Sequence, residues 1–305
     1  MKKIIIIVSL LITVAQAYAC DICGCGAGSN YLGILPEFSR NIIGLRYRYN
    51  GLQTHISGGT VTYLTTDEVY RSAEIWGGFN ISHKFRLMAV LPYHFIEKKN
   101  QGQSIPKNGL GDISVTGFYQ LLNKRQTISG NRILVQSLWV GGGLKLPTGK
   151  YNPQDKSPGA DNANLFQLGT GSVDFTANAM YDLRLQDAGI STTLQYKTNT
   201  MNSNDYRYGN KWNASAQLYY KFRLGHGISL APNIGMQYEN AMKDKDGKYE
   251  AEASGGYLLT AATGVELVLN RLAIGSNWNT PLNQNLANGF VKAKNRLMVH
   301  FAVTF

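Results

Sequence analysis

The chain has 305 residues, with 30 Lys and Arg against 19 Asp and Glu and a net charge of +11. Its 33 Gly, 18 Tyr and 11 Phe beside only 16% charged residues exclude a coiled coil and a disordered chain. Beyond the first residues there is no apolar run of about 18, which excludes a transmembrane helix but not a membrane strand, which needs only about 10 residues with one apolar face.

Lys2 and Lys3 precede the apolar run Ile4 to Ala15, and Ala17-Tyr18-Ala19 follows. A basic start, a short apolar core and an A-x-A site read as a signal peptide over 1–19, cut before Cys20. Cleavage there is also what a lipoprotein signal would give, with lipid on Cys20. An exported chain does not meet nucleic acid. The basic balance is therefore read as a lumen or loops facing acidic lipopolysaccharide or anionic solutes.

All three cysteines lie in Cys20-Asp-Ile-Cys-Gly-Cys25. Thiolates of Cys20, Cys23 and Cys25 at this spacing suit one soft metal such as copper, or zinc with an outside ligand. In an exported protein a disulfide competes, leaving one thiol over, and a lipid anchor or a packed plug are further readings. The segment 20–39 that holds them is Gly-rich, which allows tight wrapping.

From Arg40 onward, apolar residues alternate with polar ones through about 12 candidate strands. In the first, Ile43, Leu45, Tyr47 and Tyr49 oppose Gly44, Arg46 and Arg48. In the next, Ala73, Ile75, Gly77 and Phe79 oppose Glu74, Trp76 and Gly78. Later strands set Ile113, Val115 and Tyr119 against Asp112, Ser114 and Thr116, then Val173, Phe175 and Ala177 against Asp174, Thr176 and Asn178. Leu194 and Tyr196 oppose Gln195 and Lys197, and Trp212, Leu218 and Tyr220 oppose Asn213 and Gln217. Apolar against charged at alternate positions is what a wall between lipid and water requires. Arg46, Arg48, Glu74, Asp112, Lys145 and Asp174 are thus expected to line the lumen. They would either line a pore or pair to hold the barrel shut.

Connections alternate long (50–68, 97–109, 147–170, 199–210, 240–254, 279–295) and short (80–84, 122–131, 182–188, 223–227, 269–271). Outer-membrane barrels have long outer loops and short periplasmic turns, so both termini are expected in the periplasm. Aromatic residues at strand ends, such as Tyr47, Tyr93, Phe95, Tyr220 and Phe222, suit membrane–water girdles better than a soluble sandwich.

Three segments combine in order: Gly109-Leu-Gly-Asp112, continuing to Tyr119; Gly143-Leu-Lys-Leu-Pro-Thr-Gly149; and Gln167-Leu-Gly-Thr-Gly-Ser-Val-Asp174. Together they resemble the outer-membrane family named for the meta pathway of phenol degradation, itself similar to barrels that pass fatty acids and aromatic hydrocarbons. The resemblance covers most of the barrel and implies a passive channel for a small hydrophobic or aromatic cargo or a metal complex. Because the N-terminal segment of those hydrocarbon-passing barrels enters the lumen, it also implies that 20–39 either plugs the barrel or stays in the periplasm to meet a partner. None of the glycine segments is a phosphate loop, and no G-x-S-x-G is present, so the chain is not read as an enzyme. His55, His83, His94, His226 and His300 are scattered, without metal-ligand spacing.

The last strand, Leu297, Val299, Phe301, Val303 and Phe305 at every second position, ends on an aromatic residue. It resembles the C-terminal signature that the barrel-assembly machinery reads. The expectation is an all-β chain: a transmembrane antiparallel up-and-down β-barrel of about 12 strands over 40–305, in the outer membrane of a Gram-negative cell. Metal handling through the cysteines and a structural or adhesion role are the rival functions.

Overall fold

A computed structural model describes residues 40–56, 60–128, 130–155, 164–225 and 227–305. The stretch 1–19 read as a signal peptide, the segment 20–39 and with it Cys20, Cys23 and Cys25 lie outside the described residues. Twelve long strands form the wall: β1 (Ile42–Thr54), β2 (Thr66–Asn80), β3 (Phe85–Asn100), β4 (Ile113–Ile128), β5 (Arg132–Leu146) and β6 (Asp174–Leu185). They continue as β7 (Ala188–Thr198), β8 (Lys211–Tyr220), β9 (Ile228–Ala241), β10 (Gly256–Leu269), β11 (Leu272–Leu286) and β12 (Lys292–Thr304). Each pairs antiparallel with its neighbours in sequence, and β1 closes on β12 from Ile42↔Thr304 to Gln53↔Lys292. This is a closed 12-strand up-and-down barrel, which leaves no free sheet edge.

The alternation read from the sequence sets the faces. Ile43, Leu45 and Tyr47 are exposed outward, while Ile42, Arg46 and Trp76 are buried inside. The outward face carries two aromatic rows. Phe79, Phe85, Tyr119, Tyr220, Phe222 and Phe305 sit at one end, and Tyr47, Tyr93, Phe95, Phe175, Trp212 and Tyr238 at the other. Phe79 and Phe305 meet edge to face at 6.2 Å, and the Phe305 amide donates to Asn41 O at 3.0 Å. Both described chain ends therefore lie at the end of the barrel that carries the short turns, here termed the turn end. The opposite end is the loop end.

Several strands outrun the sequence reading. The stretch 279–295 is not a long loop: β11 continues to Leu286 and β12 restarts at Lys292, with only a short 3-10 turn, Ala287–Gly289, between them. The segment 97–109 extends β3 to Asn100 and returns as the strand Gln103–Leu110, paired along β3. Gln101 and Gly102, at φ 48 and 81, make the primed two-residue turn that matches strand twist. β4 likewise runs on to Ile128 through exposed Lys124, Arg125 and Gln126. Above and below the lipid both faces meet water, so the apolar alternation fades while the backbone ladder continues.

Candidate functional site

The three glycine-containing motifs meet around Lys145, near the loop end of the lumen wall. β5 presents Lys145 inward, beside Asp174 at the start of β6. Asp112 stands just ahead of β4. The Lys145 ammonium lies 2.5 Å from Asp112 Oδ2 and 2.9 Å from Asp174 Oδ2, and it donates to Ser172 O at 3.0 Å and to the Thr170 hydroxyl. Lys197 of β7 reaches the same Asp174 oxygen at 3.1 Å. All four ionic groups are buried, Asp174 completely.

The motif glycines explain how the segments come so close. The Gly149 amide donates to Asp112 Oδ1 at 2.9 Å, and the Thr170 amide and hydroxyl donate to Asp112 Oδ2, each at 2.9 Å. A Cβ at Gly169 would stand 2.5 Å from Asp112 Oδ1 and from Gly149 O, and one at Gly149 only 2.8 Å from Gly169 Cα. The two backbones touch directly, which only glycine permits. Buried charges of this kind persist when every lone pair and proton has a partner.

A second group crosses the wall at β1. Arg46 Nε donates to Glu74 Oε2 at 2.6 Å, Arg48 Nη1 reaches Oε1 at 3.2 Å, and the Ser72 hydroxyl adds a bond of 3.1 Å. Around the seam, His300 Nε2 lies 2.7 Å from Glu266 Oε1 although β11 runs between their strands. Gly275 lets them meet, since a Cβ there would stand 2.2 Å from Glu266 Oε2. Arg296 pairs with Glu239 at 2.5 Å.

Of the six lumen residues picked from sequence, the structure brings Asp112, Lys145 and Asp174 into one group and Arg46, Arg48 and Glu74 into another. The sequence reading missed Lys197, Thr170, Glu266, His300, Glu239 and Arg296. Parity alone puts Lys197 on the inner side of its strand with Asp174, and strand register then brings the two together. Among the described residues, no three His, Cys, Asp or Glu side chains are arranged to hold a metal ion.

Loops interlock over the loop end. Leu165 and Leu168 pack inward on Leu52, Tyr70, Ile96 and Leu258. Tyr206 donates to Asp244 Oδ2 at 2.5 Å and accepts from the Asn164 amide at 3.1 Å, and the Tyr208 hydroxyl donates to Asn164 O at 3.1 Å. The described stretches 147–155, 164–173, 199–210 and 242–255 are thus tied into one cap. At its rim, burial and then Lys98 hold the His55 imidazole below its ordinary pKa, against the pull of Glu68.

Nearer the turn end the lumen carries an apolar patch beside the buried polar side chains of Arg86, Gln217, Glu266 and Asn277. Ile42, Trp76, Met88, Phe118 and Trp139 form a buried cluster, with Val90 and Met180 packed on it.

A solved structure shares this architecture. An outer-membrane channel from Pseudomonas putida F1 superposes with a TM-score of 0.63 at 16% identity, covering 92% of this chain and 100% of that one. The β domain of the Bordetella autotransporter BrkA superposes less well, at a TM-score of 0.48 and 11% identity, covering 87% of this chain and 100% of that one. No curated protein sequence matches. The family model described as "Putative MetA-pathway of phenol degradation" matches residues 49–271, the span that holds all three motifs and the Lys145 group, and the chain belongs to that family.

Proposed function

We propose that the protein is an outer-membrane channel for passive movement of a small hydrophobic or aromatic solute, with its loop end outward and both termini in the periplasm. The carrying observation is the lumen cluster of Trp76, Met88, Phe118 and Trp139. A pore for polar solutes presents polar side chains to its water, whereas an apolar wall offers a transient site to an apolar body. The motif node and the loop cap then set when the outer end is passable. Uptake of a labelled alkylbenzene by porin-poor Gram-negative cells expressing the chain tests this reading. Uptake is expected to exceed that of cells without the chain, and Met88→Gln, which puts an amide into the apolar wall, is expected to lower it while leaving glycerol entry unchanged. Equal alkylbenzene uptake with and without the chain would refute the reading.

The close spacing of Cys20, Cys23 and Cys25 supports a second reading, in which the N-terminal segment holds copper or zinc in the periplasm. Anaerobically purified protein is then expected to carry more metal than a triple Cys→Ser variant. Equal contents would end that reading.

A further inference from the structure

The turn end of the lumen opens into a basin of about 640 Å³ lined by Arg40, Arg184, Lys221, Arg223 and Arg271, with Ala273 and Thr304 at its inner wall. Its described lining contains five cations and no carboxylate. The nearby acids are engaged. Asp187 lies 2.7 Å from Arg223 Nη2, and Asp182 accepts the Tyr219 hydroxyl at 3.1 and 2.9 Å. Arg184 enters the basin from the inward side of β6, and Arg271 from the turn between β10 and β11. Cations concentrated in a concavity with low-dielectric walls focus the field on whatever enters.

The basin adjoins the apolar cluster. Ala273 belongs to both, and its partner on β12, Ala302, packs in that cluster with Ile42 and Trp76. A molecule seated here meets guanidinium groups on one side and the apolar side chains of Val268, Leu272 and Ala273 on the other. We infer that the turn-end vestibule binds a small amphipathic organic anion, a carboxylate carried on an apolar body, with Arg184 and Arg271 on the carboxylate and the wall at Val268, Leu272 and Ala273 on the body. Arginine suits this role because its planar fork matches a carboxylate with two parallel hydrogen bonds. The inference refines the cargo class of the channel reading and rests on that reading only for the direction of movement.

Calorimetric titration of the purified full-length barrel in neutral detergent with benzoate, benzyl alcohol, acetate and inorganic phosphate tests it. Benzoate is expected to bind more tightly than the other three, because only it presents both ends. Its affinity is expected to fall about tenfold in Arg184→Gln/Arg271→Gln, to fall less in Arg184→Lys/Arg271→Lys, which keeps the charge but not the fork, and to weaken as salt rises. Benzoate and benzyl alcohol binding alike would overturn the role of the arginines. Phosphate competing as well as benzoate would overturn the amphipathic class. Absence of any benzoate binding by a barrel that migrates as folded protein would overturn the site. The alkylbenzene uptake assay reads the channel itself, so either reading can fail without the other.

Discussion

Lys145→Met is expected to destabilise the barrel by about 3–5 kcal/mol, the range found when one partner of a buried ion pair is removed. The side chain that replaces the ammonium makes no bond to Asp112 or Asp174. Asp174 keeps Lys197 at 3.1 Å. Asp112 keeps the backbone donors Gly149 and Thr170 but loses its only countercharge in this group. Denaturant unfolding in lipid vesicles reads the loss directly. Lys124→Met, at an exposed position of β4, is the control and is expected to stay within about 0.5 kcal/mol of the parent. A loss below about 1 kcal/mol for Lys145→Met would show that the node is not what holds the three motifs together.

Leu165→Asp/Leu168→Asp is expected to convert a capped barrel into an open one. Each leucine is buried on the inward cluster under the cap, and full burial of such a side chain is worth about 1.5–3 kcal/mol. Replacing both with carboxylates removes that stabilisation and adds the cost of burying charge, so the loop is driven into water. The wall strands keep their own ladders, and the barrel is expected to remain folded. Because about 1.4 kcal/mol is a factor of ten in an equilibrium, single-channel recordings in planar bilayers are expected to show open time rising at least about tenfold. Unchanged conductance in a variant that still migrates as folded protein would remove the cap from the mechanism.

The wall was legible in the sequence because its grammar is local. Leu45 beside Arg46, or Phe175 beside Asp174, declares a two-faced strand wherever the chain goes, since lipid and water impose opposite demands on successive side chains. The lumen groups were half legible for the same reason. Parity put Asp112, Lys145 and Asp174 on the inner side, but only register between neighbouring strands makes them meet, and the His300–Glu266 pair needs the missing side chain of Gly275 as well. The cap was not legible. Leu165, Leu168, Tyr206 and Tyr208 stand in polar, Gly- and Asn-rich stretches without periodicity, and they are buried only because three separate loops converge over the lumen. The overhangs of β4 and β11 escaped because strands clear of the membrane lose the apolar contrast that reveals a strand.

The pairing of β1 with β12 has a consequence for how the molecule is made. Every other backbone ladder of the twelve wall strands joins consecutive strands and can form as the chain advances, hairpin by hairpin. The seam alone joins the two ends of the chain, Ile42 to Thr304. Closing so long a loop costs about 5 kcal/mol in chain entropy from its length alone, and the cost falls due in one late step. Until that step, Arg46 has Glu74 but not its neighbour His300, and Glu266 has no His300 to meet across β11. The edges of β1 and of the last strand formed also stand unpaired in hydrocarbon. Barrel formation is therefore slow at its end rather than at its beginning, and the residues that arrive last, from Lys292 to Phe305, bring both the final ladder of hydrogen bonds and the missing members of the lumen pairs. A chain stopped one strand short would have nearly all of its local structure and no closed wall to hold it.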